Sequence, residues 1–502
     1  MIDTRFRRRL VTALAAAAAA GCDAGTQAPA PASPPAPPPV VATLPKSDPP
    51  AASGRPRHPK DLRFEEQAFT YPRTDRVVLS NGMVLHLLED HSLPLVDASA
   101  LFRGGSVFDP PGKEGLASIA CGMVRTGGTR TLPAARLDEE LDLIAGSVSV
   151  GADQENLAAG FSFLSRDLDR GIGLFADVLR NPAFDDGRFA QVKASSAQGI
   201  LRSLQNPGGV LGRAFNSLTH PGHPYGNLSS PASLGSLTRD DLESFHRRWF
   251  HPESFVLAVA GDFRKDDLIA RLEKSFEGWE KAAEPLPKWP APYERKYPGG
   301  HFVMAMPAVT QTHVRLGHWG PPQNTVDRVH FDVMNLVLGG GSFWSRMTKV
   351  VRTKEGLAYS VGSGLTRASQ GGVFQASTET KASTTYRAVT LMKGLVREIR
   401  EAPVTSEELS QAKEFLLNGA VRLIENPAAL ANQVATLEFK EYPGGWLEKY
   451  RDIVRATTVE DVQRVAKEYL RPDGLTLVVV GDPAGFDAAP GDLGPAQSIP
   501  PR

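Results

Sequence analysis

Cysteine is nearly absent from this sequence: 502 residues contain only Cys22 and Cys121. Two cysteines cannot build a disulfide framework, so a small disulfide-stapled fold is excluded. An excess of one charge is also missing, because 56 acidic residues balance 56 basic ones. The folded region has no dense basic tract, which argues against a nucleic-acid partner. The length exceeds what one ordinary core accommodates and predicts two or more domains.

The first 22 residues have the organisation of an export signal. Four arginines between residues 5 and 9 precede an apolar run at 10–20, which is too short to span a membrane and is followed by Gly21 and Cys22. This order resembles a bacterial lipoprotein signal, so we predict a signal peptide over 1–22 and lipidation of Cys22. The predicted location is periplasmic, anchored to a membrane of a bacterial cell envelope. Cleavage followed by secretion is the alternative.

The rest of the chain divides by composition. Residues 23–62 are dominated by Ala and Pro, which predicts a disordered tether. A proline-rich stretch at 283–298 predicts a linker between two domains, at 63–282 and 299–487. Residues 488–502 are predicted to be a disordered tail.

A repeat supports this division. A helical pattern, a proline turn and an apolar strand ending in Gly-Asp occur at 238–262 and again at 458–482. A repeat of this length indicates a duplicated domain. Strands mixed with helix pairs, without strict alternation, predict an α+β fold in which helices pack on one face of a mostly antiparallel sheet.

The segment 339–363 carries the most specific pattern. It opens with Gly339, Gly340 and Gly341. The pattern predicts a glycine turn, a helix that ends near Arg352, a second turn, and a strand that begins near Tyr359. Arg352 and Tyr359 would then lie side by side and could donate hydrogen bonds to a peptide carbonyl. The structural alternative is that Arg352 caps a helix end and Tyr359 is a half-buried strand aromatic.

This segment resembles the C-terminal half of the pitrilysin, insulinase and mitochondrial processing peptidase family. In that family a glycine turn, a serine-arginine helix and a GLAY-type strand follow one another, and the arginine and tyrosine face a catalytic zinc from the opposite half. The resemblance extends over about residues 64–486. It implies that Arg352 and Tyr359 act on the substrate carbonyl, and that Gly339, Gly340 and Gly341 contact substrate.

The resemblance also implies where zinc would bind, on a helix carrying His-x-x-Glu-His in the first half. The two histidine positions fall on Ser118 and Gly122, and the position of the catalytic base falls on Cys121. None of these residues can take the role of its counterpart. Serine and glycine do not ligate zinc as imidazole does, and a cysteine thiol is a poor replacement for the carboxylate that takes a proton from bound water. The distal glutamate is missing as well, since 187–239 contain no acidic residue. We therefore predict no metal and no cofactor in this chain, with zinc in a partner.

Three other features have simpler interpretations. His220 and His223 lie in a Pro-Gly loop without a neighbouring acid in sequence, and we interpret them as polar loop residues. His86 and His91 bracket a strand end, and we interpret them as part of a solvated turn. Cys121 is predicted to be a small core residue because nothing in its sequence neighbourhood would activate a thiol.

The predicted function is that of a non-catalytic subunit. The chain would pair as a heterodimer with a zinc-bearing His-x-x-Glu-His subunit, form a clamshell around a peptide substrate, and contribute Arg352 and Tyr359. Two alternatives remain: a purely structural scaffold subunit of an envelope complex, and a stand-alone tethered peptide-binding lipoprotein.

Overall fold

The computed structural model describes residues 70–287, 296–423 and 425–500. The predicted signal peptide, the tether and the lipidation site Cys22 lie outside these residues. The chain divides into two units, Met1–Ala68 and Phe69–Arg502, and the described residues all belong to the second unit. No helix in the described ranges is long and apolar enough to cross a membrane.

The first half is built on a six-stranded mixed sheet with the order β1-β2-β6-β3-β5-β4. Its strands are β1 (Asp75–Val78), β2 (Val84–Glu89), β3 (Leu95–Arg103), β4 (Ser147–Ala152), β5 (Asn156–Leu164) and β6 (Val256–Gly261). Its helices are α1 (Leu116–Thr126), α2 (Ala134–Leu143), α3 (Leu168–Arg180), α4 (Asp186–Leu204), α5 (Pro207–Thr219), α6 (Pro231–Gly235), α7 (Arg239–Trp249) and α8 (Lys265–Ser275).

The second half repeats this plan with the order β12-β7-β11-β8-β10-β9. Its strands are β7 (Gly300–Ala305), β8 (Gln311–Trp319), β9 (Ala358–Leu365), β10 (Val373–Lys381), β11 (Thr476–Gly481) and β12 (Ala496–Ser498). Its helices are α9 (Val326–Asn335), α10 (Thr385–Glu401), α11 (Ser406–Gly419), α12 (Pro427–Phe439), α13 (Trp446–Ala456) and α14 (Val459–Tyr469).

The two halves share their strand pairing. β2 runs parallel to β6 and β3 antiparallel to it, as β7 and β8 do with β11. The repeat seen in the sequence is visible as two capping boxes, where Thr238 and Asp241 begin α7 and Thr458 and Asp461 begin α14. The duplicated α+β fold predicted from the sequence is confirmed.

The end of the chain differs from the prediction of a disordered tail at 488–502. β12 (Ala496–Ser498) pairs in parallel with β7, and the N–H of Ile499 donates to the carbonyl of Val303 at 3.1 Å. Without β12, β7 would be an open sheet edge with unpaired backbone groups. The tail prediction is therefore wrong over these residues.

Each half also covers the sheet of the other. On α5, Val210, Leu211 and Phe215 pack with Met304 and Val478 of the second sheet. On α12, Ala431 and Ala435 pack with Val256 and Ala258 of the first. The sequence predicted helices on one face of each sheet, but a helix from the opposite half buries the second face.

Candidate functional site

A helix, a tight turn and a strand bring the candidate site together. α9 continues through a π-helical turn at Leu336–Gly340, in which the N–H of Gly341 donates to the carbonyl of Leu336 at 2.9 Å. A short 3₁₀ turn at Ser342–Trp344 comes next, and then a helical segment that is π-helical over Thr348–Lys354. The three glycines therefore lie at the end of the preceding helix, α9. The sequence had predicted a glycine turn that opens into the following helix.

Steric crowding explains two of these glycines. A Cβ on Gly339 would lie 2.5 Å from Ser363 Oγ and 2.6 Å from its backbone nitrogen, so only glycine lets the helix end approach β9 so closely. A Cβ on Gly341 would lie 2.4 Å from the ring of Trp344. Both glycines are buried, whereas Gly340 is exposed. Contact between the three glycines and substrate stays a prediction.

Arg352 and Tyr359 meet at the surface. Cζ of Arg352 lies over the Tyr359 ring, 4.9 Å from its centroid. Tyr359 is 85% exposed although it lies in β9, and Arg352 is half-buried. Within the described part of the chain, neither the guanidinium nor the phenol makes a hydrogen bond or an ion pair. The structure thus brings the predicted pair together with its donors unengaged, which does not fit a helix cap and a half-buried aromatic.

Phe343 is a third member of this group that the sequence did not reveal. Its ring centroid lies 4.7 Å from Cζ of Arg352, and the side chain is 67% exposed. Arg352 is therefore in contact with two exposed aromatic rings, which hold its planar group by cation–π attraction. The only sequence signal was a Phe-Trp pair shortly after the three glycines.

Arg346 begins the same helical segment and has a different role. Its guanidinium donates to both carboxylate oxygens of Glu408, at 2.7 and 2.8 Å, and to Glu398 at 3.2 Å. The hydrogen bond to Glu408 raises the pKa of Arg346. The bidentate pair with Glu408 anchors the segment to α11, and the contact with Glu398 links it to α10. Both contacts restrain the segment that carries Arg352.

The helix at which the resemblance places zinc is α1. Ser118 is exposed and Gly122 half-buried, while Cys121 is fully buried in the core. Burial raises the pKa of the Cys121 thiol, and the nearby charge of Asp109 raises it further. These residues do not fit a zinc ion. Across the described ranges, no three His, Cys, Asp or Glu side chains are grouped so that they could hold a metal.

His220 and His223 lie in the loop between α5 and α6, as interpreted from the sequence, but they are buried there. They are 5% and 2% exposed and lie against the ring of Trp319. Burial lowers the pKa of His220 to about 4, so it is neutral at physiological pH. An acid absent from their sequence neighbourhood, Glu155, lies nearby and accepts a hydrogen bond from Tyr225.

His86 is also buried, so its interpretation as part of a solvated turn is wrong, whereas His91 is exposed. Nε2 of His86 lies 2.8 Å from a carboxylate oxygen of Glu438, which also accepts from Arg76. Glu438 belongs to α12, so this contact joins the two halves. The pattern around residue 86 gave no sign of it because Glu438 is 352 positions away.

Two models of one peptidase family match the chain. Residues 86–218 match a family model described as insulinase (peptidase family M16), and residues 236–416 match one described as peptidase M16 inactive domain. The two models together span more than half of the chain.

Individual relatives differ in the activity their names state. A Rickettsia felis protein named uncharacterized zinc protease is 28% identical over 364 residues, which are 71% of this chain and 85% of that protein. A Helicobacter pylori protein named non-peptidase homolog YmxG is 24% identical over 400 residues, or 78% of this chain and 90% of that protein.

A solved structure has the same fold. The crystal structure described as peptidase M16 inactive domain from Pseudomonas fluorescens aligns with a TM-score of 0.75 at 24% identity. The alignment covers 82% of this chain and 98% of that one.

Proposed function

The chain is an inactive, peptidase-like member of peptidase family M16, and from that premise we propose that it is the non-catalytic subunit of a heteromeric zinc peptidase. A zinc-bearing His-x-x-Glu-His subunit is its partner, and the two close as a clamshell around a peptide. This chain contributes Arg352 and Tyr359. The observation that carries the proposal is the contact of Arg352 with the exposed Tyr359 at 4.9 Å, with the donors of both unengaged among the residues that the structure describes. In the same chain, the positions of the zinc-binding histidines are occupied by Ser118 and Gly122.

Arg352 and Tyr359 have the chemistry to hold a peptide carbonyl. A guanidinium offers several fixed N–H donors and a phenol offers one O–H donor. Donors that are already in place when negative charge develops on the carbonyl oxygen stabilise the transition state without reorganisation. The zinc of the partner would supply the activated water, and this chain would orient the peptide and stabilise the carbonyl oxygen.

The substrate we propose is a peptide or an unfolded segment. β9 is the last strand in the order of the second sheet; the end of α9 packs on it at Ser363, and Tyr359 lies nearer its opposite end. An extended peptide alongside a sheet edge makes main-chain hydrogen bonds that do not depend on sequence. Tyr359 would then lie beside the backbone of the peptide.

Affinity purification of the full-length protein from its native membranes tests the pairing. Cross-linked complexes are isolated, and each copurifying chain is identified by mass spectrometry. A stoichiometric partner with His-x-x-Glu-His on a helix is the expected result. Respiratory or other envelope complexes without such a partner would support the scaffold alternative, and recovery of the chain alone would support the stand-alone binder. Either result would contradict the proposal.

We also propose that the protein is exported and anchored through lipidated Cys22. The support is the order of the charged, apolar and small residues before Cys22. Metabolic labelling with a fatty acid should mark the wild-type protein, and Cys22→Ala should abolish both the label and membrane fractionation. Label retained by Cys22→Ala would contradict the assignment.

A further inference from the structure

A cavity of about 500 Å³ lies where the chain before β1 meets α12 and the start of α13. Its apolar walls include the largely buried rings of Tyr71 and Trp446 and the side chain of Leu437. A cavity of this size, with mostly apolar walls and a few polar groups, is typical of small-molecule sites. Neither Arg352 nor Tyr359 lines it, so it is separate from the site described above.

Three polar side chains that line this cavity form a chain of hydrogen bonds. The hydroxyl of Thr74 lies 3.0 Å from Nδ1 of His86, and Nε2 of the same ring lies 2.8 Å from a carboxylate oxygen of Glu438. His86 is 3% exposed, whereas Thr74 is half-buried and remains accessible from the cavity. Arg76 donates to both carboxylate oxygens of Glu438 and so holds that group in place. A hydroxyl, an imidazole and a carboxylate therefore follow one another.

These contacts determine which nitrogen of the neutral His86 ring carries the proton. The hydrogen bond from Arg76 holds the pKa of Glu438 below its ordinary value, and the hydrogen bond with His86 lowers it further. Because an ionised carboxylate only accepts hydrogen bonds, Nε2 of His86 is the donor and Nδ1 accepts from the hydroxyl of Thr74. Nδ1 is then in position to take the proton of that hydroxyl, which is the arrangement of an activated nucleophile.

The start of α13 lines the same cavity and favours negative charge on a bound oxygen. Gly445 is the N-cap, with a φ of 68°, and among the described residues no side chain caps this helix. N–H groups in the first turn have no partner within the helix, and together with the helix dipole they stabilise an oxyanion. Glu448 and Arg73 line the cavity with opposite charges, so neither an anionic nor a cationic substrate is favoured.

We propose that Thr74 is the nucleophile and His86 the general base of a metal-independent catalytic site that hydrolyses small neutral esters with an apolar acyl group. Glu438 is a positioning residue, because it acts only through His86. The aromatic and aliphatic walls of the cavity hold the acyl group, and the start of α13 stabilises the carbonyl oxygen. This inference does not rest on the proposed pairing with a zinc-bearing subunit.

The reaction balances with water as the only co-reactant. Oγ1 of Thr74 forms a bond to the carbonyl carbon of the ester while its proton moves to Nδ1 of His86. The bond to the leaving oxygen then breaks, and that oxygen takes the proton from His86 and departs as an alcohol. Water attacks the acylated Thr74 with His86 again acting as base, which releases the acid and restores the hydroxyl.

Hydrolysis of p-nitrophenyl butyrate by the purified full-length protein tests the proposal, with the release of p-nitrophenolate followed by absorbance. Wild type should turn the ester over with saturation kinetics, and a chelator should leave the rate unchanged. Thr74→Val removes the hydroxyl at nearly constant shape and should abolish turnover, whereas Thr74→Ser should keep it. His86→Gln should lower kcat by about 100-fold or more, the usual magnitude of general-base catalysis.

Glu438→Gln tests the positioning role. The variant keeps the shape of the side chain but removes the charge that stabilises protonated His86. It should lower kcat by about 100-fold or more and leave KM unchanged. A merely structural role would change the midpoint of thermal unfolding without this separation of kcat from KM.

Thr457→Val is the matched control. The hydroxyl of Thr457 lies 2.9 Å from Nδ1 of His330, and both side chains are buried. Within the described part of the chain, however, no carboxylate is hydrogen-bonded to the His330 ring. Thr457→Val should hydrolyse the ester at the wild-type rate.

Covalent labelling provides a readout that needs no variant. Diisopropyl fluorophosphate should form an O–P bond with the wild-type protein as fluoride leaves, and mass mapping of tryptic peptides should place the label on Thr74. Wild-type hydrolysis no faster than the buffer, a wild-type rate in Thr74→Val, or the absence of label on Thr74 would each overturn the inference.

Discussion

At the scale of single residues, the proposed activity depends on the hydroxyl of Tyr359. A donor to a developing oxyanion is worth on the order of 3 kcal/mol, or roughly 100-fold in rate. Tyr359→Phe should therefore slow peptide cleavage by the purified heteromeric complex about 100-fold without preventing assembly, because an 85% exposed phenol does not support the core. Initial rates at saturating peptide measure this.

Tyr297 provides the matched control for that hydroxyl. It is also an exposed tyrosine beside an arginine, with Cζ of Arg471 5.9 Å from its ring centroid. Tyr297→Phe should leave the rate unchanged. Equal rates for Tyr359→Phe and wild type would remove the proposed role of Tyr359.

A half-buried carboxylate just before α1 gives a pH-dependent prediction. Asp109 accepts hydrogen bonds from the N–H groups of Gly115 and Ala117, at 2.8 and 2.9 Å. Burial nevertheless raises the pKa of Asp109 from 3.8 to about 6. The folded state therefore binds this proton more tightly than the unfolded state, and the associated stability is lost as pH rises from about 4 through 6.

Asp109→Asn cannot ionise and should remove that slope. Because two pKa units correspond to at most about 3 kcal/mol, the stability of wild type relative to Asp109→Asn should fall by up to that amount between pH 4 and 6. Urea unfolding at several pH values measures the difference. A difference that stays constant, or grows with pH, would contradict the raised pKa.

At the scale of elements, the π-helical turn at Leu336–Gly340 positions the site. Gly339→Ala would place a methyl group 2.5 Å from Ser363 Oγ and 2.6 Å from its backbone nitrogen. The helix end would have to move away from β9, and overpacking of this kind costs about 1–3 kcal/mol. A lower midpoint of thermal unfolding is expected.

Gly394→Ala is the control for that substitution. Gly394 lies within α10, is exposed, and an added Cβ would have no neighbour within 4 Å. Alanine in a helix interior is better than glycine by about 0.5–1 kcal/mol, so this variant should be slightly more stable than wild type. If Gly339→Ala behaved in the same way, the close approach of α9 to β9 would be refuted.

Local patterns predicted most elements but not this turn. The repeat predicted an apolar strand before each Gly-Asp, at the ends of 238–262 and 458–482, and the structure has Val256–Gly261 and Thr476–Gly481 there. Three glycines in a row are typical of a turn, and the helical period carries no signal for one extra residue in a π-turn. Arg352 and Tyr359 were predictable because both lie within one short segment. Phe343 was not, because the exposure of an aromatic side chain in a short turn depends on tertiary packing, which no local pattern reports.

At the scale of the whole molecule, the halves are distinct in sequence but interlocked in space. Contacts between them, such as Glu155 with the backbone N–H of Ser369 at 3.0 Å, join residues 214 positions apart. No local pattern reports such a separation. The sequence therefore predicted two domains, but it did not predict that α5 packs on the second sheet and α12 on the first.

This reciprocal packing of α5 and α12 predicts that neither half folds alone. Residues 70–287 would expose Val210 and Phe215 on α5, and residues 296–500 would expose Val478 and Val480. Each fragment expressed alone should be aggregated or molten, whereas coexpression should yield a soluble complex with a cooperative thermal transition. Cooperative unfolding of an isolated fragment would contradict the interlocked core.

Zinc content provides the most direct test of the central claim, that this chain holds the peptide and another supplies the metal. The native complex is purified, its two chains are separated under non-denaturing conditions, and zinc is measured in each by mass spectrometry. We expect about one zinc per partner chain and none above background in this one. Stoichiometric zinc in the isolated chain, with chelator-sensitive peptide cleavage, would contradict the claim.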